Sequence, residues 1–129
     1  VTLTLLDTSA LISIERSTHS LGELILDDDE PALSAITLAE LRVGVELGSG
    51  RKRKERETCI GWIERSLPIV PYDSDVALVH ASLIAHCRRT GTQRSAYDLM
   101  IAATGSATGR TVVTFDRTGF LDLPNVRVR

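Results

Sequence analysis

Leu3-Thr4-Leu5-Leu6-Asp7-Thr8-Ser9-Ala10-Leu11-Ile12-Ser13-Ile14 changes period partway along its length. Residues 3–6 form an apolar run of strand character. Asp7-Thr8-Ser9 interrupts it, and residues 10–14 read as the opening turns of a helix. The same sequence of strand, polar break and helix recurs. Residues 21–26 read as a second helical piece, closed by Asp27-Asp28-Asp29-Glu30 and Pro31. Residues 32–36 read as a strand, and Thr37 opens a helix over 37–47 that stops at Gly48-Ser49-Gly50. A charged segment then leads into Cys59, Ile60, Ile63 and Leu67, which share one helical face. Pro68 and Pro71 bracket a very short strand, Ile69-Val70. Val76, Val79, His80, Leu83, Ile84 and Cys87 recur at helical spacing over residues 73–89. A last helix covers 95–107, with Gly109 as its stop signal. The β-branched run 111–115 is a strand, and 126–128 a final short one. Strands alternating with helices predict an α/β fold with a mainly parallel sheet and helices on both faces.

Bulk properties bound what such a fold can do. The chain has 129 residues, a length that fits one domain over 1–129. Fifteen Lys and Arg against seventeen Asp and Glu give a formal net charge of −2, so nucleic-acid binding would need a local basic patch. No apolar run approaches a membrane span, and the first residues lack the basic start of a signal peptide. Cys59 and Cys87 form neither a C-x-x-C nor a zinc-finger spacing, and read as reduced, buried thiols of a cytoplasmic protein.

Four acids stand where such a fold binds ligands, beyond the carboxyl ends of the strands. Asp7 directly follows the first strand, and Asp116 follows 111–115. Glu40 and Asp98 each lie one turn into a helix. Taken singly, each has a structural reading. Thr37-x-x-Glu40 spells a capping box, and Ser95-x-x-Asp98 comes close to one. Asp7 fits an N-cap, and Asp116 an Asx-turn. Taken together they put four carboxylates on one rim. Such a cluster repels itself and raises its own pKa values unless a hard cation offsets the charge. Mg²⁺ or Mn²⁺ suits carboxylate oxygens completed by water and phosphate, and the matching chemistry is metal-assisted hydrolysis of a phosphodiester.

The motifs Leu6-Asp7-Thr8-Ser9-Ala10-Leu11-Ile12, Thr37-Leu38-Ala39-Glu40-Leu41-Arg42-Val43-Gly44, Asp98-Leu99-Met100-Ile101-Ala102-Ala103-Thr104 and Val113-Thr114-Phe115-Asp116 stand in that order. Together they resemble the PIN domain of the VapC toxins, the nuclease halves of VapBC toxin–antitoxin pairs, over essentially the whole chain. The resemblance implies a PIN-like α/β/α sandwich. It implies a Mg²⁺- or Mn²⁺-dependent endoribonuclease that cuts RNA and arrests translation, a VapB-type antitoxin partner and a homodimer. It assigns Asp7, Glu40, Asp98 and Asp116 as the acidic quartet. Thr114 matches a hydroxyl position beside the last acid, and Ser9 a small polar position after the first. The sequence departs from the pattern at Gly119, where family members often carry a further acid before the Phe that is Phe120 here. On position, Asp7 and Asp98 are expected to hold the main ion, with Glu40 and Asp116 acting through water or a second ion.

Arg42, Arg88, Arg89, Arg94 and Arg117 flank these acids and are candidates for RNA phosphate contact. The run Arg51-Lys52-Arg53-Lys54-Glu55-Arg56-Glu57 is the densest basic stretch, and reads either as a solvated helix face or as a backbone contact. With five aromatics, base stacking is not expected to be the main grip; Tyr97, beside Asp98, is the one exception placed to stack, with core packing the favoured reading. Leu21, Leu24, Ile25, Val43, Val45 and Leu47 are candidates for either partner contact or core. His19, His80 and His86 lack metal-binding spacing, and His80 fits a satisfied, partly buried residue. No G-x-S-x-G elbow or complete phosphate loop is present. The competing function is a PIN-like module that binds RNA or protein without cutting; it would be expected to have lost one of the acids.

Overall fold

Three pairs of neighbouring residues explain the layering of the computed structural model, which describes residues 1–129. Leu5 and Leu6, Ala32 and Leu33, and Val112 and Val113 are all buried, and within each pair the side chains enter different core clusters. Successive side chains of a strand point to opposite faces, so a sheet covered on both sides is apolar at consecutive positions. Four strands carry these pairs and their flank: β1 (Thr2–Leu6), β2 (Asp29–Ser34), β3 (Ile69–Val70) and β4 (Thr111–Val113). All pair in parallel, in the order β3-β2-β1-β4.

Six helices cover the two faces: α1 (Thr8–Glu15), α2 (Leu21–Leu24), α3 (Ala35–Glu46), α4 (Gly50–Ser66), α5 (Ser74–Thr90) and α6 (Ala96–Ala107). One cluster joins Leu5, Ala32 and Val112 to Val76, Leu83 and Cys87 of α5, and to Leu99, Ile101, Ala102 and Ala103 of α6. The other joins Leu6, Leu33 and Val113 to α1, α3 and α4 through Ala10, Leu11, Leu41, Val45, Ile60 and Ile63. This is the expected α/β/α sandwich. No helix is long and apolar enough to cross a membrane.

Element boundaries differ from the sequence expectation at several places. The second strand ends at Ser34, and α3 begins at Ala35 rather than Thr37. Ser34 Oγ accepts the Thr37 N–H at 3.0 Å, so Ser34 is the N-cap and the expected Thr37–Glu40 capping box does not form. Pro31 lies inside β2, opposite Thr4, rather than closing the preceding helical piece. The β4 ladder stops at Val113 instead of residue 115, because polar groups take the next amides. Phe115 N–H donates to Ser9 Oγ at 3.0 Å and Asp116 N–H to Thr114 Oγ1 at 2.9 Å. The expected strand at 126–128 contributes one bridge, Val128 beside Val112.

The topology selects a crevice. From β1 the chain adds β2 and then β3 on one side, and β4 arrives on the other. The direction of winding reverses between β1 and β4, and open parallel sheets bind ligands outside the strand carboxyl ends at such a switch point. Leu6 pairs with Val113 there, so Asp7 and Thr114 are the first residues beyond the sheet.

Candidate active site

Asp7 is held on every side. It is 4 % exposed. Its Oδ1 accepts from the Ala10 N–H at 3.0 Å, the N-cap bond of α1, and from Ser9 Oγ at 2.7 Å. Its Oδ2 accepts from the Thr114 hydroxyl, and its own N–H donates to the Val113 carbonyl at 3.1 Å. So Asp7 is both the N-cap and one of the convergent acids. Three donors leave one lone-pair direction free, on Oδ2. Thr114 spends its proton on Asp7 and accepts from the Asp116 amide, which ties the first acid to the last.

Glu40 lies in the second turn of α3, since the helix starts two residues earlier than expected. Thr8 Oγ1 donates to its Oε1 at 2.6 Å. Asp116 is exposed and follows β4. Its Oδ1 accepts from Thr118 Oγ1 at 2.6 Å, the Asx-type turn expected there, which opens the 3₁₀ turn Arg117–Gly119.

Asp98 is different in kind. Ser95 is the N-cap of α6 and accepts from the Asp98 amide at 3.4 Å, but the Asp98 carboxylate accepts no hydrogen bond. A Cβ built on Gly119 would stand 2.6 Å from Asp98 Oδ2, so the bare glycine backbone leaves this carboxylate its place. The departure from the family pattern at Gly119 is therefore tied to where Asp98 sits. Burial, then the charges of Asp7, Asp116 and Glu40, raise the Asp98 pKa from 3.8 to about 6, with Arg94 pulling it down. The other three acids thus lie close enough for their charges to act on Asp98. As the side chains stand, no group of three or more Asp, Glu, His or Cys is arranged to hold a metal ion. The donor set is nonetheless the one a hard divalent cation suits: oxygen ligands carrying more negative charge than nearby cations offset.

The arginines separate into two groups. Arg42 is occupied by Glu64, with Nε at 3.0 Å, and lies 4.0 Å from Glu57. Arg94 is also occupied, donating to the carbonyls of Thr118 and Leu121 across the loop that follows β4. Arg88 and Arg89 in the last turn of α5, and Arg117 in the 3₁₀ turn, are exposed and free of ion pairs. In the basic run, which begins α4, Arg51 pairs with Glu55 at 3.6 Å and Arg56 turns inward to Glu15 at 3.0 Å.

Tyr97 corrects the expectation of core packing, because it is 54 % exposed beside Ile36, Ala39, Glu40 and Val43. Leucines and valines expected as partner contact or core divide cleanly. Val45 is core, Leu21, Leu24 and Ile25 are half-buried against the α1–α3–α4 side, and Val43 and Leu47 are exposed. His80 is buried with Nδ1 2.8 Å from Tyr72 Oη, and burial lowers its pKa. Both cysteines are free, Cys87 buried and Cys59 half-buried. Sequence reasoning missed the part of Thr8, whose proximity to Glu40 depends on how α1 and α3 pack.

Known proteins of this architecture share the whole chain. The PIN domain sequence profile matches residues 4–125. Toxin FitB of Neisseria gonorrhoeae is 39 % identical over 116 residues, covering 82 % of this chain and 78 % of that protein. The tRNA(fMet)-specific endonuclease VapC of Salmonella typhimurium is 31 % identical over 126 residues, covering 96 % of this chain and 94 % of that one. The crystal structure of DNA-bound VapBC from Salmonella typhimurium superimposes with a TM-score of 0.87 at 27 % identity, covering 100 % of this chain and 98 % of that one. With its acids gathered at the switch point of such a sheet, the chain belongs to the PIN domain family, among the VapC-type toxins.

Proposed function

We propose that the protein is a divalent-metal-dependent endoribonuclease, the toxin half of a toxin–antitoxin pair, acting in the cytoplasm as one unit over 1–129. The observation that carries this is the shared field of the four acids, read from Asp98, whose pKa is raised to about 6 by burial and by Asp7, Asp116 and Glu40. A structural cluster would be paired or dispersed; this one is offset only in part, by Arg94. Asp7 and Asp98 would hold Mg²⁺ or Mn²⁺, with Glu40 and Asp116 completing the site through water or a second ion. The ion would supply positive charge toward the phosphate oxygens and a more acidic water.

The chain's own groups do the positioning. Ser9, Thr114 and the Ala10 amide fix Asp7 before any ligand arrives. Preorganisation of this kind spares the reorganisation that a mobile acid would need. Arg88, Arg89 and Arg117 are the cations free to meet RNA phosphates; Arg42 and Arg94 serve structure first. The relatives' names support the activity, since one is an endonuclease of tRNA(fMet) and the other a toxin. The Salmonella VapBC complex supports a partner of VapB type; arrest of translation and a homodimeric toxin core are what the family resemblance implies.

The test is cleavage of total RNA by the purified chain with Mn²⁺, with EDTA, and with Asp98→Asn, the fragment ends mapped by sequencing. Metal-dependent cuts that vanish in the variant are expected. An antitoxin-free preparation that cuts nothing under any condition would point instead to a binding module.

A further inference from the structure

Glu40 is gripped from behind by a line of hydroxyls. Thr8 Oγ1 lies 2.6 Å from Glu40 Oε1 and 3.2 Å from Thr37 Oγ1. Thr37 Oγ1 in turn lies 3.2 Å from Ser34 Oγ. A threonine hydroxyl has one proton to give. Thr8 Oγ1 faces both acceptors, and the shorter contact, to a carboxylate, claims its proton. Ser34 Oγ donates to Thr37 Oγ1. Ser34 Oγ meanwhile accepts the Thr37 amide as the cap of α3. Thr37 and Ser34 are 0 % and 1 % exposed, so water does not compete for them. Glu40 Oε2 accepts from no side chain and is the oxygen left for a ligand.

We infer that Thr8 is a positioning residue for Glu40, holding it in one rotamer with Oε2 free for the cation or its water. The inference rests on the nuclease reading above. A glutamate that is already held gives up less freedom when it engages a ligand than one that is not. Partners that orient an acid in this way carry about 10- to 100-fold in metal affinity or activity.

The test compares Thr8→Val, Thr8→Ser, Glu40→Ala and the double variant T8V/E40A. Mn²⁺ affinity is measured by calorimetry on the RNA-free chain, and kcat and KM on RNA. Thr8→Val is expected to weaken Mn²⁺ binding about 10-fold or more and to lower kcat, with KM for RNA unchanged. Thr8→Ser, which keeps the donor, is expected to stay within about threefold of the unaltered chain. On the Glu40→Ala background Thr8→Val should add nothing, because the two act as a unit. Should Thr8→Val fail to fold, Thr8→Cys, with its weak donor, takes its place. Unchanged Mn²⁺ affinity in Thr8→Val, equal loss in Thr8→Ser, or full loss persisting without Glu40 would each overturn the role of Thr8 alone. An unaltered chain that neither binds Mn²⁺ nor cuts RNA would overturn the nuclease reading and this role together.

Discussion

The two walls of the crevice are built on opposite principles. On the β1–α1 wall, Asp7 accepts three hydrogen bonds, and its charge is an integral part of the fold. On the α6 wall, the Asp98 carboxylate accepts none and leans on the backbone of Gly119. Asp7 is rewarded for its charge by amide and hydroxyl dipoles. Asp98 is penalised for its charge by burial and by three acids. One wall is finished by folding; the other is completed only by a ligand. Stability and function therefore separate between two residues of the same type.

Replacing the acids breaks the comparison most sharply. Asp7→Ala removes the N-cap of α1 and leaves the Ser9 and Thr114 hydroxyls without their acceptor. Loss of roughly 2–4 kcal/mol is expected, measured by urea unfolding. Cleavage should fall about 100-fold or more. Asp98→Asn should abolish cleavage equally but stabilise the fold. The sign follows from the raised pKa. An Asp raised from 3.8 to about 6 makes the folded state progressively less stable as pH climbs through that window, and the penalty is constant above it. Removing the charge should raise Tm at pH 8 by on the order of 5 °C, with the gain vanishing near pH ~4. Equal destabilisation by both variants would erase the distinction between the walls.

The pH dependence of ion binding sharpens it next. Below about 6, a proton competes for Asp98 with any cation. Mn²⁺ affinity of the RNA-free chain should drop about tenfold per pH unit there. Asp98→Asn should bind weakly and without that steep limb. A limb that survives in Asp98→Asn would assign the titration to another acid.

Legibility in the sequence follows the same division. The fold was readable because strand and helix periods are local, and β1 with Asp7 directly behind it states both strand and rim. The expected roles of Asp7 as N-cap and of Asp116 as a turn residue hold in the structure beside their convergence, so the bland and the functional readings were never exclusive. The β2–α3 boundary was misread because Ala35-Ile36 continues an apolar run, while one Ser34 hydroxyl decides where the helix begins. Tyr97 stands exposed against the core expectation because aromatic character says nothing about which helical face is covered. The Thr8–Glu40 contact joins residues 32 positions apart and exists only once α1 and α3 pack. Nor does any spacing announce that a glycine at 119 makes room for Asp98.

The smallest effect belongs to Arg94, the one cation that acts on Asp98. It also latches the loop after β4 through the carbonyls of Thr118 and Leu121. Charge and latch are separable by substitution. Arg94→Gln removes both, and Arg94→Lys keeps the charge while losing the two-pronged geometry. Without the charge, Asp98 should hold its proton more tightly, and the Mn²⁺ limb should move to higher pH. At pH 8 Asp98 is ionised in either case, and removing the Arg94 charge only relieves its weak, screened repulsion of the ion. Affinity there should stay within about threefold of the unaltered chain. Arg94→Lys should leave the limb in place, with about 1 kcal/mol lost from the latch. If Lys shifts the limb as far as Gln does, the latch and not the charge sets Asp98's environment. The α6 wall would then be organised by the backbone around Gly119, and would differ from the Asp7 wall in the kind of support rather than in its absence.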